Sequence, residues 1–207
     1  MFSIAITGGI ACGKSQVARI LLEKGCAVWD ADVAARRLMA QDGAVYEAVI
    51  TAFGDGIVDA RGFIDRHKLA EQVFFDSAKR ECLNSIVHPL VFEMLASWLQ
   101  KNAEKRVKCA AVELPLLYEC GRQAEWNKTL CVFSARHIQL RRLISRGVDE
   151  VLANGMIDSQ LALTEKMRLA DVVLINNGAI EGLRQQVLHW FDKLANKEGS
   201  HGDKNTR

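Results

Sequence analysis

An α/β fold built on a parallel sheet is predicted by two observations. Short apolar, β-branched runs recur along the chain, and each leads into a segment of helical periodicity rather than a hairpin turn. Strands that alternate with helices pair in parallel through right-handed crossovers. The composition agrees: 49% apolar and 25% charged over 207 residues is ordinary for a globular domain. A chain this long buries about 70% of its unfolded surface and needs no disulfide or metal staple. Disordered, collagen-like and low-complexity classes are excluded. With 27 basic and 25 acidic residues, the net charge of +2 gives no bulk argument for nucleic acid or an anionic membrane.

The elements follow in order. Residues 2–7 (FSIAIT) form the first buried-type strand, then Gly8, Gly9 and Gly13 precede a helix from Lys14 to Lys24, ended by Gly25 at its C′ position. Cys26–Trp29 is the second strand; Asp30 and Asp32 close it, and Asp32 is suited to cap a helix starting at Val33. From Val33 to about Asn102 strand signals vanish and apolar residues recur at helical spacing, as in Val45, Val49, Ile50 and Phe53. The longest helix covers Ala78 to Asn102 and contains Pro89, expected to kink or break it. This stretch is a helical insertion on the α/β core. Val107–Val112 and Thr129–Phe133 are the third and fourth strands. Ile138–Ile144 is helical, Asp149 to Arg168 forms one or two helices, Val172–Ile175 is the fifth strand and Ile180–Leu194 a closing helix. From Asn196 the tail is polar and expected to fray.

Cysteines stand at 12, 26, 82, 109, 120 and 131 with no CxxC pair, so no zinc ribbon or thioredoxin motif is indicated. The start, MFSIAITGGI, has no basic n-region. No apolar run reaches the ~18 residues of a membrane span. The expectation is a cytoplasmic protein with reduced, mostly buried thiols, and with neither nucleic-acid nor membrane partners.

The informative motif is Gly8-Gly-Ile-Ala-Cys-Gly-Lys-Ser15, which fits G-x-x-x-x-G-K-[ST] between a strand and a helix. Glycines let consecutive backbone N–H groups turn inward around phosphate oxygens, and the helix N-terminus adds partial positive charge. Gly9, Ile10, Ala11, Cys12, Gly13, Lys14, Ser15 and Gln16 are therefore the candidate ATP-binding residues. Lys14 suits the β- and γ-phosphates and Ser15 a Mg²⁺ ion. The fold class is thus a P-loop NTPase-type five-stranded parallel sheet with a helical insertion and a helical lid. Cys12 reads either as a tolerated small residue or as a thiol of lowered pKa whose oxidation blocks the nucleotide site.

A GTPase is disfavoured. Asp59-Ala-Arg-Gly62 matches DxxG but lies in the insertion, and Asn127-Lys-Thr-Leu130 fails NKxD at its last position. A small-molecule kinase fits better, because it needs a carboxylate beside the γ-phosphate at the carboxyl ends of the strands. Asp30 and Asp32 occupy that edge. Either is an acceptor base or magnesium-water ligand, or else Asp32 is a plain N-cap and Asp30 a solvated strand end. Arg142 and Arg146 share a helical face, as a phosphoryl clamp or as solvated charge.

Taken together, the chain resembles the dephospho-CoA kinase family from about Ile4 to Leu194. The resemblance rests on T-G-G-I-x-x-G-K-S at 7–15, D-A-D at 30–32 with Ala35-Arg36, and Gly62-Phe-Ile-Asp-Arg66. It continues through Leu69, Val73-Phe74, Leu83-Asn84, His88-Pro89, Pro115-Leu-Leu-x-Glu119, Ala170-Asp171 and Asn176-Asn-Gly178. It implies ATP- and Mg²⁺-dependent phosphorylation of the 3′-hydroxyl of dephospho-CoA, the last step of coenzyme A synthesis. It implies Asp32 as general base, Lys14 as phosphate ligand, Ser15 as metal ligand and Arg142 as a lid arginine. Arg66, His88, Pro89 and Leu116, with Asp32, would hold the acceptor. The core would span about 1–32, 105–140 and 170–195, the acceptor-binding insertion about 33–104, the lid about 141–169 and the tail 196–207, in a monomer or small homo-oligomer. The chain departs from the family pattern at Ala11-Cys12, usually Gly-Ser, at Gln16, usually threonine, and at Ile175, usually aspartate or similar. A non-catalytic nucleotide-binding protein and a kinase with a nucleoside-type acceptor are the rival readings.

Overall fold

The computed structural model describes residues 1–41 and 43–199, with side chains through residue 194. The strands are β1 (Phe2–Gly8), β2 (Ala27–Asp30), β3 (Cys109–Glu113), β4 (Lys128–Phe133) and β5 (Val172–Ile175). All pair in parallel in the order β2-β3-β1-β4-β5. β1 lies at the centre, with Ile4, Ala5 and Ile6 fully buried. A strand covered on both faces carries a continuous apolar run.

Helix α1 (Lys14–Glu23) returns from the end of β1 and packs Val17, Ile20 and Leu21 into the core with Leu183 and Val187. It stops in a Schellman motif. Gly25, at φ 87°, donates to the Leu22 carbonyl, and Cys26 donates to that of Leu21. The turn needs a left-handed residue, which glycine adopts without a Cβ penalty.

The insertion comprises α2 (Ala31–Leu38), α3 (Ala44–Phe53), α4 (Arg66–Phe74) and α5 (Ser77–Glu104). Val45, Val49, Ile57, Leu69, Val73, Val87 and Val91 form its own core. Helix α2 begins earlier than the sequence suggests. Asp30, not Asp32, is the N-cap, because its carboxylate accepts from the N–H groups of Asp32 and Val33. Nor does Pro89 break α5, which runs unbroken through it. Burial of Val87, Val91 and Leu95 along one side offsets the lost backbone bond. By length and composition α5 is also apolar enough to cross a membrane, which scanning for an uninterrupted run misses. Its contacts with α2, α3 and α4 cover only part of that surface.

Beyond the sheet centre, α6 (Arg136–Ile144), α7 (Glu150–Asp158) and α8 (Leu163–Leu169) follow β4, and α9 (Ile180–Gly199) closes the core. Asp149 caps α7 through the Leu152 N–H. The closing helix extends past Leu194 into the stretch expected to fray; residues 200–207 lie outside the described residues.

Candidate active site

The carboxyl end of β1 opens into the phosphate loop. A side chain on Gly8 would strike the Val132 carbonyl, and one on Gly13 would strike the Asn176 amide. Glycine is therefore required at both positions. Ala11 sits at φ 56°, the left-handed conformation its departure from glycine demands. The N-terminus of α1 has no side-chain cap and no acidic residue in its first turn, so its donors have no protein anion in front of them. Such orphan N–H groups with the helix dipole make an anion site. Lys14 folds back over the loop, its Nζ donating to the carbonyls of Gly8 (3.3 Å) and Gly9 (3.0 Å). Ser15 is exposed beside it.

Cys12 is fully buried. Burial pushes its thiol pKa up, and the nearby Lys14 does not outweigh this. The reactive-thiolate reading is thereby corrected: a buried thiol pays desolvation on ionising, whatever the helix terminus offers. The tolerated-residue reading stands.

Carboxylates gather opposite the loop. Asp30 and Glu113 are register partners at the ends of β2 and β3. Asp32, the second residue of α2, has no hydrogen bond or ion pair to its carboxylate among the described residues. It is open along the cleft, yet the surrounding protein desolvates it and raises its pKa against the pull of Lys14. Glu113 is buried, and desolvation with the charge of Asp30 lifts its pKa to about 7.

Asp32 stands at the edge of a pocket lined by Ala35, His88, Phe92, Leu116, Cys120 and Arg122, among others. The Arg122 guanidinium stacks over Phe92 at 4.0 Å from the ring centroid. His88 faces the Cys120 sulfur at 3.7 Å, and burial lowers its pKa, keeping it neutral. Of the expected acceptor residues, Asp32, His88 and Leu116 share this pocket. Pro89 does not line it, and Arg66, exposed at the first position of α4, lies outside it too.

On the far side of the loop a second cleft is lined by Ala11, Gly13, Gln16, Arg142, Arg146 and Asn176, among others. Arg142 lies on α6, where its Nη1 donates to the Ala11 carbonyl (3.0 Å) and Ser134 hydroxyl (2.9 Å) and its Nη2 to the Asn176 carbonyl (3.0 Å). The Asn176 side chain donates to the Cys12 carbonyl at 2.8 Å. Arg142 thus braces the loop from behind.

Sequence reading missed the anchor between α8 and β3. Lys166 is fully buried, with Nζ 2.7 Å from the Pro115 carbonyl and 2.7 Å from a Glu119 carboxylate oxygen. Desolvation lowers its pKa, and Glu119 opposes the shift. The available signal was its place on the apolar face of a short helix with Leu163 and Met167. Glu113 and Arg122 were missed as well; a charged residue closing a buried strand was the clue to the first.

The exposed Ser15 hydroxyl and these carboxylates are hard oxygen donors, of the kind that bind Mg²⁺ with one or two carboxylates, water and substrate phosphates. The donor set fits that ion.

Comparison with known proteins gives the kinship. A family model described as dephospho-CoA kinase matches residues 2–182. A protein named dephospho-CoA kinase from Geobacillus kaustophilus is 41% identical over 187 residues, covering 90% of this chain and 93% of the relative. A crystal structure from Thermus thermophilus aligns at TM-score 0.73 and 30% identity, covering 93% of this chain and 97% of the other. A Campylobacter jejuni structure named dephospho-CoA kinase shares the fold at TM-score 0.66 and 24% identity, covering 95% and 98%. With the family model matching nearly the whole α/β core and insertion, the chain belongs to the dephospho-CoA kinase family.

Proposed function

We propose that the protein transfers the γ-phosphoryl group of ATP to the ribose 3′-hydroxyl of dephospho-CoA, giving coenzyme A and ADP. The carrying observation is the unpartnered Asp32 carboxylate, set between the Lys14 side of the phosphate loop and a largely apolar pocket. Such a pocket suits a nucleoside, and a carboxylate at its mouth suits a sugar hydroxyl.

In this reading Asp32 accepts the hydroxyl proton as the acceptor oxygen attacks the γ-phosphorus and the bond to ADP breaks. Its raised pKa brings its basicity nearer the operating pH. The loop N–H groups and Lys14 hold the phosphates and stabilise the charge that develops on them. Arg142 donates to the Ala11 carbonyl, and Ser134 and Asn176 to that of Cys12, holding these loop carbonyls turned away so that the N–H groups face the donor. Ser15 holds the Mg²⁺, with carboxylates of the Asp30–Asp32–Glu113 group reaching it through water. When bound, that ion neutralises phosphate charge and orients the donor. The insertion of about residues 33–104 carries the acceptor, and α7 and α8 act as a lid that excludes water. The protein acts in the cytoplasm, as a monomer or small homo-oligomer, without nucleic-acid or membrane partners.

The test is ADP release from ATP and Mg²⁺ with dephospho-CoA as acceptor, beside adenosine, AMP and uridine. Turnover with dephospho-CoA alone is expected. Turnover with another acceptor alone refutes the substrate. ATP binding without turnover on any acceptor refutes the activity.

A further inference from the structure

Cys26 and Cys109 stand side by side at the starts of β2 and β3, one residue before the register pair Ala27 and Ala110. Their sulfur atoms are 2.9 Å apart. A disulfide needs about 2.05 Å between sulfurs and Cα atoms about 4.4–6.8 Å apart. Neighbouring strands lie about 4.8 Å apart, inside that window. A small side-chain movement therefore closes the bond with the backbone held in its sheet.

We propose that Cys26 and Cys109 are a redox modification site, closed to a disulfide by a peroxide and reopened by a thiol reductant. The other cysteines are arranged differently. Cys12 and Cys131 are fully buried, and the Cys120 sulfur faces His88. Cys109 is partly exposed and is the point of entry, while Cys26 is buried beneath it. The Cys109 sulfur attacks a peroxide oxygen, the O–O bond breaks, and a sulfenic acid and one water form. The Cys26 sulfur then attacks that sulfur, the S–O bond breaks, and the second water carries off the Cys26 proton. Two thiols are oxidised by two electrons, and the peroxide is reduced to two waters. In the reduced pair the adjoining Cys109 thiol and burial hold the Cys26 pKa above the ordinary thiol range.

The location sets the consequence. β2 is an edge strand, paired with β3 alone among the described residues. The bond joins the ends of these strands opposite Asp30 and Glu113, and it closes the loop that contains all of α2 to α5. Cross-links that close long loops restrict the unfolded chain most. The phosphate loop and Asp32 are left in place, so the oxidised protein is the more heat-stable and keeps its nucleotide site.

The whole chain is treated with hydrogen peroxide, freed of excess oxidant, and divided between peptide mapping, thermal unfolding with and without dithiothreitol, and ATP binding. These readouts do not depend on which acceptor the kinase uses. Expected are linked Cys26 and Cys109 peptides two hydrogens lighter than the reduced pair, and a Tm raised by roughly 5 °C. Dithiothreitol reverses the rise, Cys109→Ser lacks it, and ATP affinity stays within about twofold of the reduced protein, since the bond leaves the phosphate-binding donors unmoved. Cys26→Ala gives the same loss of response if the buried substitution folds; Cys109→Ser, at a partly exposed site, serves alone if it does not. Unlinked Cys26 and Cys109 after treatment, or a linked pair with an unchanged or lowered Tm, overturns the proposal.

Discussion

The side chain of Asp30 accepts the backbone N–H of Asp32 at 2.8 Å, and that bond divides the labour of the two aspartates. One carboxylate oxygen of Asp30 caps α2, also accepting from Val33 at 3.1 Å, while the Asp32 carboxylate is left facing the cleft. Asp32→Asn should lower kcat by about 10²–10⁴ with ATP affinity retained, as loss of a general base does. Asp30→Ala should instead cost about 1 kcal/mol of stability, the usual worth of a cap. Because desolvation raises the Asp32 pKa in the free protein, the acid limb of the kcat/KM profile should lie above the ordinary carboxylate range. A limb at the usual range, or an Asp32→Asn enzyme of full kcat, contradicts the assignment.

Glu113 sets a pH dependence of stability. Its pKa is raised from 4.5 to about 7 by burial and by Asp30. Between those values the folded protein binds more protons than the unfolded chain, so stability falls as pH rises through the window. The effect is on the order of 3 kcal/mol across it. Glu113→Gln should flatten this dependence, leaving the metal- and nucleotide-free variant the more stable at pH near 8. Unfolding melts of both proteins across the window decide it; parallel curves remove Glu113 as the cause.

The strands, the phosphate loop and the D-A-D segment were legible because each depends on local rules: apolar runs, a glycine pattern, a carboxylate at a strand end. What escaped depends on packing. Whether Asp30 or Asp32 caps α2 turns on two residues of helix start, a boundary that sequence periodicity does not resolve. Pro89 reads as a break, yet burial along α5 overrides that local cost. Lys166 is intelligible only beside Glu119 and Pro115, which the fold brings under α8. Arg142 reads as a clamp for phosphate; the structure shows its Nη1 and Nη2 donating to the carbonyls of Ala11 and Asn176 and to the Ser134 hydroxyl.

Ala11 offers a test of how the chain tolerates its departure from glycine. A left-handed alanine is strained by about 1–2 kcal/mol. Replacing it by glycine relieves that, but gives the unfolded chain about 0.4–1 kcal/mol of extra entropy. It also removes a buried methyl, worth about 0.8 kcal/mol, from the contact with Leu143 and Ala153. These terms nearly cancel, so Ala11→Gly should leave Tm within about 3 °C of the parent. Ala11→Val, β-branched in the same conformation, should destabilise by about 3 kcal/mol. A large gain from glycine would mean that the alanine methyl packs to little effect.

Lys166 and Glu119 tie α8 to the core. The lysine is fully enclosed and the glutamate about a quarter exposed, its side chain at 24%. A buried ion pair adds little over an apolar pair, but removing one partner strands the other. Lys166→Met removes the donor to Pro115 and leaves Glu119 beside an apolar chain. Water still reaches Glu119, which reduces the usual penalty for a stranded charge, so the expected loss is about 2–3 kcal/mol. Glu119→Gln keeps an oxygen able to accept from Leu161 and Lys166, but it removes the charge that offsets the fully enclosed ammonium, and should cost about 3 kcal/mol. In the double variant no charge is stranded, so its loss should fall short of the sum of the singles by about 1 kcal/mol or more. Urea unfolding of the four proteins at one pH measures the coupling. Additive losses would mean that the pair contributes by shape alone, with the anchorage of α8 carried by Leu163 packed against the core.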